Sequence, residues 1–256
     1  MTELAKLTWP RVQELVEQGC AAILPVGATE AHGPHLPLDT DVTIARGMAR
    51  RAAETLEARG RACVVLPPVS YAVTEFAAAF PGSLSLPPEV ARAHVEAVLS
   101  AAVTTGFAPV AVANGHLEPA HIASLQEAMA AVEAAHGVRI AFPDVTRRRN
   151  AQRLTEEFQS GACHAGSYES SLVMADDPRS VLDEVRRGLP SVPISLVDVI
   201  RAGKKDFLEA GGDQAYFGHP AEASAEEGQQ SFDTLAALLV EALDEVAAGP
   251  RSEEES

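Results

Sequence analysis

The sequence is poor in basic residues, in aromatic residues and in cysteine. Lys and Arg number 20 against 36 Asp and Glu, a formal net charge of -16, and aromatic residues make up 5% of the chain. Affinity for nucleic acid comes mainly from cations that neutralise phosphates, so nucleic acid and anionic membranes are poor partners for this chain. A small molecule or a short peptide fits the charge better.

Cysteine and long apolar runs are scarce as well. Cys20, Cys63 and Cys163 lie far apart and form no CxxC pattern, which argues against a disulfide framework and against a thiolate zinc site. No apolar stretch reaches the roughly 18 residues that a membrane helix needs, and the N-terminus does not resemble an export signal. These features predict a soluble protein in the reducing cytoplasm.

Short apolar runs alternate with helical patterns along the chain. The runs lie at 21–27, 62–70, 110–115 and 138–145, and helical patterns occupy 41–58, 88–105, 118–136, 146–158, 168–175, 178–188 and 222–247. Such alternation predicts an α/β fold in which helices cover both faces of a mostly parallel sheet. The sequence has no repeat or linker, so we expect one domain over residues 1–250 and an acidic tail at 251–256.

Carboxylates and imidazoles follow two of the predicted strands. Glu30, His32 and Asp41 follow the first strand, and His116 and Glu118 follow the third. Loops at the carboxyl ends of strands in an open α/β sheet converge on a crevice, and residues two apart in extended chain project to the same side. The two pairs should therefore face one site, with Asp41 at the start of the next helix.

Oxygen and nitrogen ligands without thiolates suit Zn, Mn, Fe or Co. Glu30, Asp41 and Glu118 bring three negative charges against about four positive charges from two divalent ions, and a bridging hydroxide supplies the remainder. The residues thus favour a site for two metal ions over a site for one.

Other polar residues are less well supported as metal ligands. His35 is assigned a supporting role and Asp39 a turn or capping role in the loop EAHGPHLPLDTD. His94, His121 and His136 lie in helical patterns and are expected at the surface or half-buried.

Four segments carry a resemblance to a known family. LPVGATEAHGPHLPLDTD, NGHLEP, FPGSLSL and HAGSYESSL resemble motifs of the creatininase (creatinine amidohydrolase) family, and the similarity spans nearly the whole chain. The resemblance implies a three-layer α/β/α fold, hydrolysis of amide-type C–N bonds, two divalent ions per subunit and a homohexamer built from dimers. The ions are expected to be Zn, with Mn or Fe as alternatives.

The resemblance also assigns roles to single residues. Glu30 and His32 become ligands of different metals, Asp41 becomes the bridging ligand, and His116 and Glu118 complete the pair. In HAGSYESSL, His164 is the candidate that protonates the leaving nitrogen or holds the carbonyl.

Glu169 is expected near the metals as an orienting group, a proton acceptor or a ligand. A thiol nucleophile at Cys163 is disfavoured, because adjacent residues usually point apart. His219 could line the entrance of the pocket.

The substrate stays open at this stage. Creatininases place tryptophans around the creatinine ring, but residues 140–163 contain none and the single tryptophan is Trp9, so creatinine itself is not expected. A cyclic amide, a formamide or a small peptide is expected instead, the last as in mycofactocin-type peptidases. Alternatives are a carbocyclic ketone hydrolase of the same family, an inactive metal-binding subunit, or a dinuclear phosphoesterase, which the lack of a Gly-rich phosphate loop disfavours.

Overall fold

The structure is a computed structural model that describes residues 2–249; the acidic tail expected at 251–256 lies outside them. Its strands form one sheet in which every pair of neighbours is parallel. In chain order the strands are β1 (Thr2–Glu3), β2 (Ala21–Val26), β3 (Cys63–Val65), β4 (Val110–Asn114) and β5 (Ile140–Ala141). Their order across the sheet is β1-β3-β2-β4-β5.

The central strands β2 and β4 are buried along their whole length and run in register from Ala22 opposite Val110 to Val26 opposite Asn114. The predicted strand at 62–70 is shorter in the structure, where β3 ends at Val65. Pro67 and Pro68 follow and have no N–H to donate to a neighbouring strand, so the regular ladder stops there.

Helices cover both faces of the sheet, which confirms the three-layer α/β/α prediction. The helices are α1 (Trp9–Glu17), α2 (Thr40–Ala58), α3 (Pro88–Thr105), α4 (Pro119–His136), α5 (Arg148–Ala151), α6 (Glu156–Ser160), α7 (Ser167–Asp176), α8 (Asp183–Arg187), α9 (Leu196–Arg201) and α10 (Ala225–Ala247). Ile23 of β2 packs in a core cluster with α2, α7 and α10, whereas its neighbour Leu24 packs with α1, α3 and α4. Successive strand residues therefore serve opposite layers.

Helix boundaries agree with the sequence where proline marks a start and glycine marks an end. Helix α3 begins with Pro88 and is closed by Gly106 at φ +104°, a conformation that favours glycine. The single helix predicted over 146–158 is wrong: the chain forms α5 and α6, and Thr155 caps the second by accepting the N–H of Phe158. Across residues 2–249 no helix is long and apolar enough to span a membrane.

Candidate metal centre

The loops after β2 and β4 leave the same edge of the sheet side by side, because Val26 pairs with Asn114 at the end of both strands. The first loop carries Glu30 and His32, and the second carries His116. These side chains are all buried and lie together with Asp41 from the first turn of α2. The crevice at the carboxyl ends of the strands is thus lined with carboxylates and imidazoles.

Three overlapping groups within residues 2–249 have the geometry to hold a metal ion. They are Glu30 with Asp41 and His116, His32 with Asp41 and Glu169, and Glu30 with His32 and His164. Within each group the potential ligand atoms lie within 4.8 Å of one another.

Asp41 connects the first two groups. Its Oδ1 lies 3.0 Å from Nε2 of His32, and its Oδ2 lies 3.1 Å from Nδ1 of His116. One carboxylate therefore presents a separate oxygen to each of two imidazoles, an arrangement that suits a bridging ligand.

The backbone fixes which nitrogen of each histidine faces the carboxylates. His32 Nδ1 donates to the carbonyl of Glu30 at 3.2 Å, His116 Nε2 to Val73 at 2.8 Å and His164 Nε2 to Ala31 at 3.0 Å. In each neutral ring the other nitrogen then carries a lone pair directed at the carboxylate cluster. Metal-binding histidines are typically oriented by such outer hydrogen bonds.

The electrostatics of the cluster favour a cation. Burial opposes the charged form of His32, yet Asp41, Glu169 and Glu30 raise the pKa of His32 to about 10. The pKa of His116 is likewise raised against burial, by Glu30 and Asp41. The donor set, the lone pairs and this demand for positive charge all fit divalent metal ions.

Two glycines let Asp41 reach this position. A Cβ added to Gly115 would lie 2.2 Å from the carbonyl oxygen of Asp41, and one added to Gly27 would lie 2.6 Å from the nitrogen of Val42. Both distances are far below contact, so only glycine at the two strand ends allows the start of α2 to pack against them. Ala28 N–H also donates to Asp41 Oδ2 at 3.3 Å.

The segment with HAG brings two further groups to the centre. Ala165 has φ +49°, and its N–H donates to Glu169 Oε2 at 2.7 Å, which directs the carboxylate toward His32 at 3.6 Å. Burial raises the pKa of Glu169 to about 8. His164 lies against His32 with ring centroids 4.4 Å apart. Both predicted catalytic residues therefore lie among the metal-capable groups.

Comparison with known proteins gives the family. The family described as Creatinine amidohydrolase (Creatininase) matches residues 5–243. The chain belongs to the creatininase family. Membership confirms the resemblance of the sequence motifs and makes the chain a hydrolase of that family.

Individual relatives agree with this membership. A mycofactocin precursor peptide peptidase of Mycolicibacterium smegmatis is 30% identical over 82% of this chain and 78% of its own length. A creatinine amidohydrolase of Pseudomonas putida is 29% identical over 45% of each chain. A crystal structure of creatinine amidohydrolase superimposes with a TM-score of 0.76 at 22% identity, covering 98% of this chain and 99% of that one, which supports the fold.

Within this creatininase-family site, Glu118 does not join any of the three groups. Its Oε1 accepts the backbone N–H of Glu75 at 3.2 Å, and its Oε2 accepts that of Phe76 at 3.2 Å. Burial raises its pKa. The structure thus places Glu118 beside the cluster, where it holds the 73–76 segment, while Glu169 occupies a position expected of a ligand.

The remaining predicted residues lie outside the cluster. His35 Nε2 contacts Ser170 Oγ at 2.8 Å, and Asp39 occupies the N-cap position of α2 without a side-chain cap bond. His219 lies 2.9 Å from Ser191 Oγ and does not line the cavity over the metal centre. The expectation for His121 was wrong: it is buried, and its Nε2 donates to Asn114 Oδ1 at 3.0 Å.

Sequence reasoning missed several supporting residues. Thr74 Oγ1 donates to Glu30 Oε2 from the segment after β3. Glu157 accepts the N–H groups of Tyr168 at 2.8 Å and His219 at 2.7 Å, which ties the first turn of α7 and the segment at 219 to α6. These contacts join segments far apart in the chain, and no local sequence pattern indicates them.

Proposed function

We propose that this chain is a dinuclear metal-dependent amidohydrolase that cleaves an amide-type C–N bond. The observation that carries the proposal is Asp41, whose two oxygens face His32 and His116 between two metal-capable groups. A shared carboxylate with one imidazole on each side is the expected ligand pattern of two-metal hydrolytic sites.

Each ion has a proposed set of ligands. Glu30, Asp41 and His116 would hold one, and His32, Asp41 and Glu169 would hold the other. Glu169 then takes the position that the sequence assigned to Glu118, and the count of three carboxylates is unchanged. Zn fits these oxygen and nitrogen donors, with Mn or Fe as alternatives.

The ions, when bound, supply a water of lowered pKa and polarise the carbonyl of the substrate. The chain itself supplies orientation and proton transfer. Neutral His164 donates Nε2–H to Ala31 and so offers Nδ1 as an acceptor, which favours a role in holding a polar group over protonating the leaving nitrogen. Glu118 lines the cavity outside the metal groups, and its raised pKa suits proton delivery to the departing nitrogen.

A short peptide is the second candidate substrate class. It is supported by the relatives named mycofactocin precursor peptide peptidase, which match 82 to 88% of this chain at 28 to 30% identity. A homohexamer stays a prediction from the family resemblance, and a cytoplasmic location stays a prediction from the cysteine pattern and the N-terminal sequence.

Metal analysis of the purified protein, followed by a hydrolysis screen, tests the proposal. We expect about two divalent ions per chain and formation of a free amino group from lactams, formamides or short peptides, with no turnover of phosphate esters. Binding of a single ion, or hydrolysis of phosphate esters alone, would contradict it.

A further inference from the structure

The cavity over the metal centre has two chemically different ends. It is about 420 Å³ in volume, and its deep end is formed by the buried groups Glu30, Asp41, His116, His164 and Glu169. Exposed residues of α5 and α9 form its outer end. A ligand that fills this cavity with its reacting amide at the buried end would therefore contact these helices.

The walls between the two ends are apolar. Helix α9 contributes Val197 and Ile200, which are 46% and 37% exposed although both line the cavity. Phe76 and Phe207 face the same space, with ring centroids 6.0 Å apart. Cavities of this composition bury an apolar portion of their ligand. Contact with such a portion would account for the exposure of Val197 and Ile200.

The outer end also carries two arginines. Arg148 and Arg201 both line the cavity. The side chain of Arg148 has no hydrogen bond or ion pair with any residue in 2–249, and Arg201 has only a 3.5 Å contact to Asp198, with both side chains about three-quarters exposed. In a chain with 36 acidic and 20 basic residues, two exposed guanidinium groups that line one cavity, only one of them with an acidic partner, are a distinct electrostatic feature.

We propose that the substrate is an amide with an apolar body and a free carboxylate, and that Arg148 and Arg201 bind this carboxylate while α9 contacts the body. Guanidinium groups bind carboxylates through paired N–H donors, which gives direction as well as attraction. The proposal rests on the proposed function only in placing the reacting amide at the metals. It makes the two arginines specificity residues, not metal ligands.

Binding of two matched probes tests this inference without requiring turnover. N-acetyl-Leu-Phe and its C-terminal amide differ only in the terminal charge, and their binding is measured by calorimetry on zinc-loaded protein. We expect the acid to bind about fivefold more tightly than the amide, the size of effect that exposed ion pairs give, and the preference to shrink at high salt.

The same measurement on chelator-treated protein separates the arginines from the metals. If a metal ion binds the carboxylate of the acid, the preference for the acid over the amide is lost when the metal is removed. If arginine binds it, the preference remains. We therefore expect the preference to survive chelation. Its disappearance on chelation, or equal binding of acid and amide from the start, would overturn the proposal.

Variants identify the residues that cause the preference for the acid over the amide. The double variant Arg148→Gln with Arg201→Gln should bind acid and amide equally while its metal content stays normal. Arg149→Gln is the matched control, because Arg149 is the exposed neighbour on α5 that does not line this cavity. Ile200→Ser should weaken both probes alike, and Leu208→Ser, at an exposed leucine outside the cavity, should weaken neither.

The results also distinguish this inference from the proposed function. Loss of acid preference in the Arg149→Gln control, its retention in the double variant, or failure of both probes to bind at millimolar concentration would overturn the inference. Absence of bound metal in the purified protein, with the preference intact, would instead contradict the two-metal proposal alone.

Discussion

The loop after β2 and the loop after β4 carry the same two residue types at the same spacing, but the structure uses them differently. Glu30 and His32 both enter the metal-capable groups, whereas of His116 and Glu118 only the histidine does. The carboxylate of Glu118 instead accepts two backbone N–H groups from the segment at 73–76.

The difference shows what decides the use of a carboxylate. Glu30 meets a single side-chain donor, Thr74, and one of its oxygens remains directed at the histidines. Glu118 meets two uncommitted N–H groups, and both of its oxygens are occupied. Since the carbonyl of Val73 in that segment orients His116, Glu118 still supports the centre through the backbone that it holds.

Replacing Asp41, which both proposed metal sites share, should have the largest effect on metal content and turnover. Asp41→Asn removes the negative charge between His32 and His116, so we expect loss of both ions and a fall in turnover of several orders of magnitude. Metal analysis and steady-state kinetics measure both quantities. Asp39→Asn is the control and should retain metal, because its side chain makes no cap bond.

Replacing the histidine of the second loop should remove one ion of the two. His116→Ala leaves the group of His32, Asp41 and Glu169 intact, so we expect about one divalent ion per chain. Titration with a metal indicator gives the stoichiometry. An unchanged content of two ions would show that His116 is not a ligand.

Replacing the carboxylate of that loop should give a different pattern. Glu118→Gln keeps an acceptor for one N–H group but removes the charge and the titratable proton, so we expect both ions to remain and turnover to fall about 100-fold. Metal content and kcat on the same sample measure this. Loss of an ion equal to that in His116→Ala would return Glu118 to the ligands.

Removing the donor that supports Glu30 should have a smaller effect. Thr74→Val keeps the shape of the side chain but deletes the hydroxyl that donates to Glu30, so metal affinity should fall about tenfold, at the lower end for such outer contacts. Competition with a fluorescent chelator measures the affinity. Ser85→Ala, which removes a bond to the backbone of Thr74 nearby, should change the affinity less.

The smallest effect concerns the histidine that packs beneath the second loop. Burial lowers the pKa of His121 from 6.5 to about 3, so the unfolded chain takes up a proton that the folded chain does not, and stability falls as the pH decreases below 6.5. In metal-free protein, His121→Gln should therefore lose less stability than the unmodified chain between pH 7 and pH 5. Urea unfolding at pH 7 and pH 5 measures the loss of stability in each protein, and an equal loss in both would contradict the burial of a neutral His121.

Sequence patterns predicted the two central strands and the edge at which the polar side chains meet, but they made β3 and β5 too long and missed β1. The apolar runs gave β2 and β4 almost to the residue, and the rule for strand ends placed Glu30, His32, Asp41 and His116 at one edge. The strands and their ends depend on local hydrophobic periodicity, which can be read directly from the sequence. The resemblance to the creatininase family supplied the expectation that the HAG segment joins this cluster, where His164 and Glu169 are found.

The structure departs from the sequence expectations mainly in contacts between distant segments. Spacing made Glu118 equivalent to Glu30, because nothing in NGHLEP reveals that two N–H groups at 75 and 76 lie opposite its carboxylate. The burial of His121 was missed for the same reason, since its partner Asn114 lies on the preceding strand. The break in 146–158 depended on a cap at Thr155 that the helical pattern concealed.

Gly27 and Gly115 bear no atom that could bind a metal, yet each lies where a single methyl group would collide with the turn that carries Asp41. The position of the central carboxylate is thus set by the absence of side chains at the two strand ends. A survey of substitutions across the chain should find these two positions as intolerant as the ligands themselves. Designers who transplant the centre into another α/β sheet would have to transfer this empty space together with the residues that surround it.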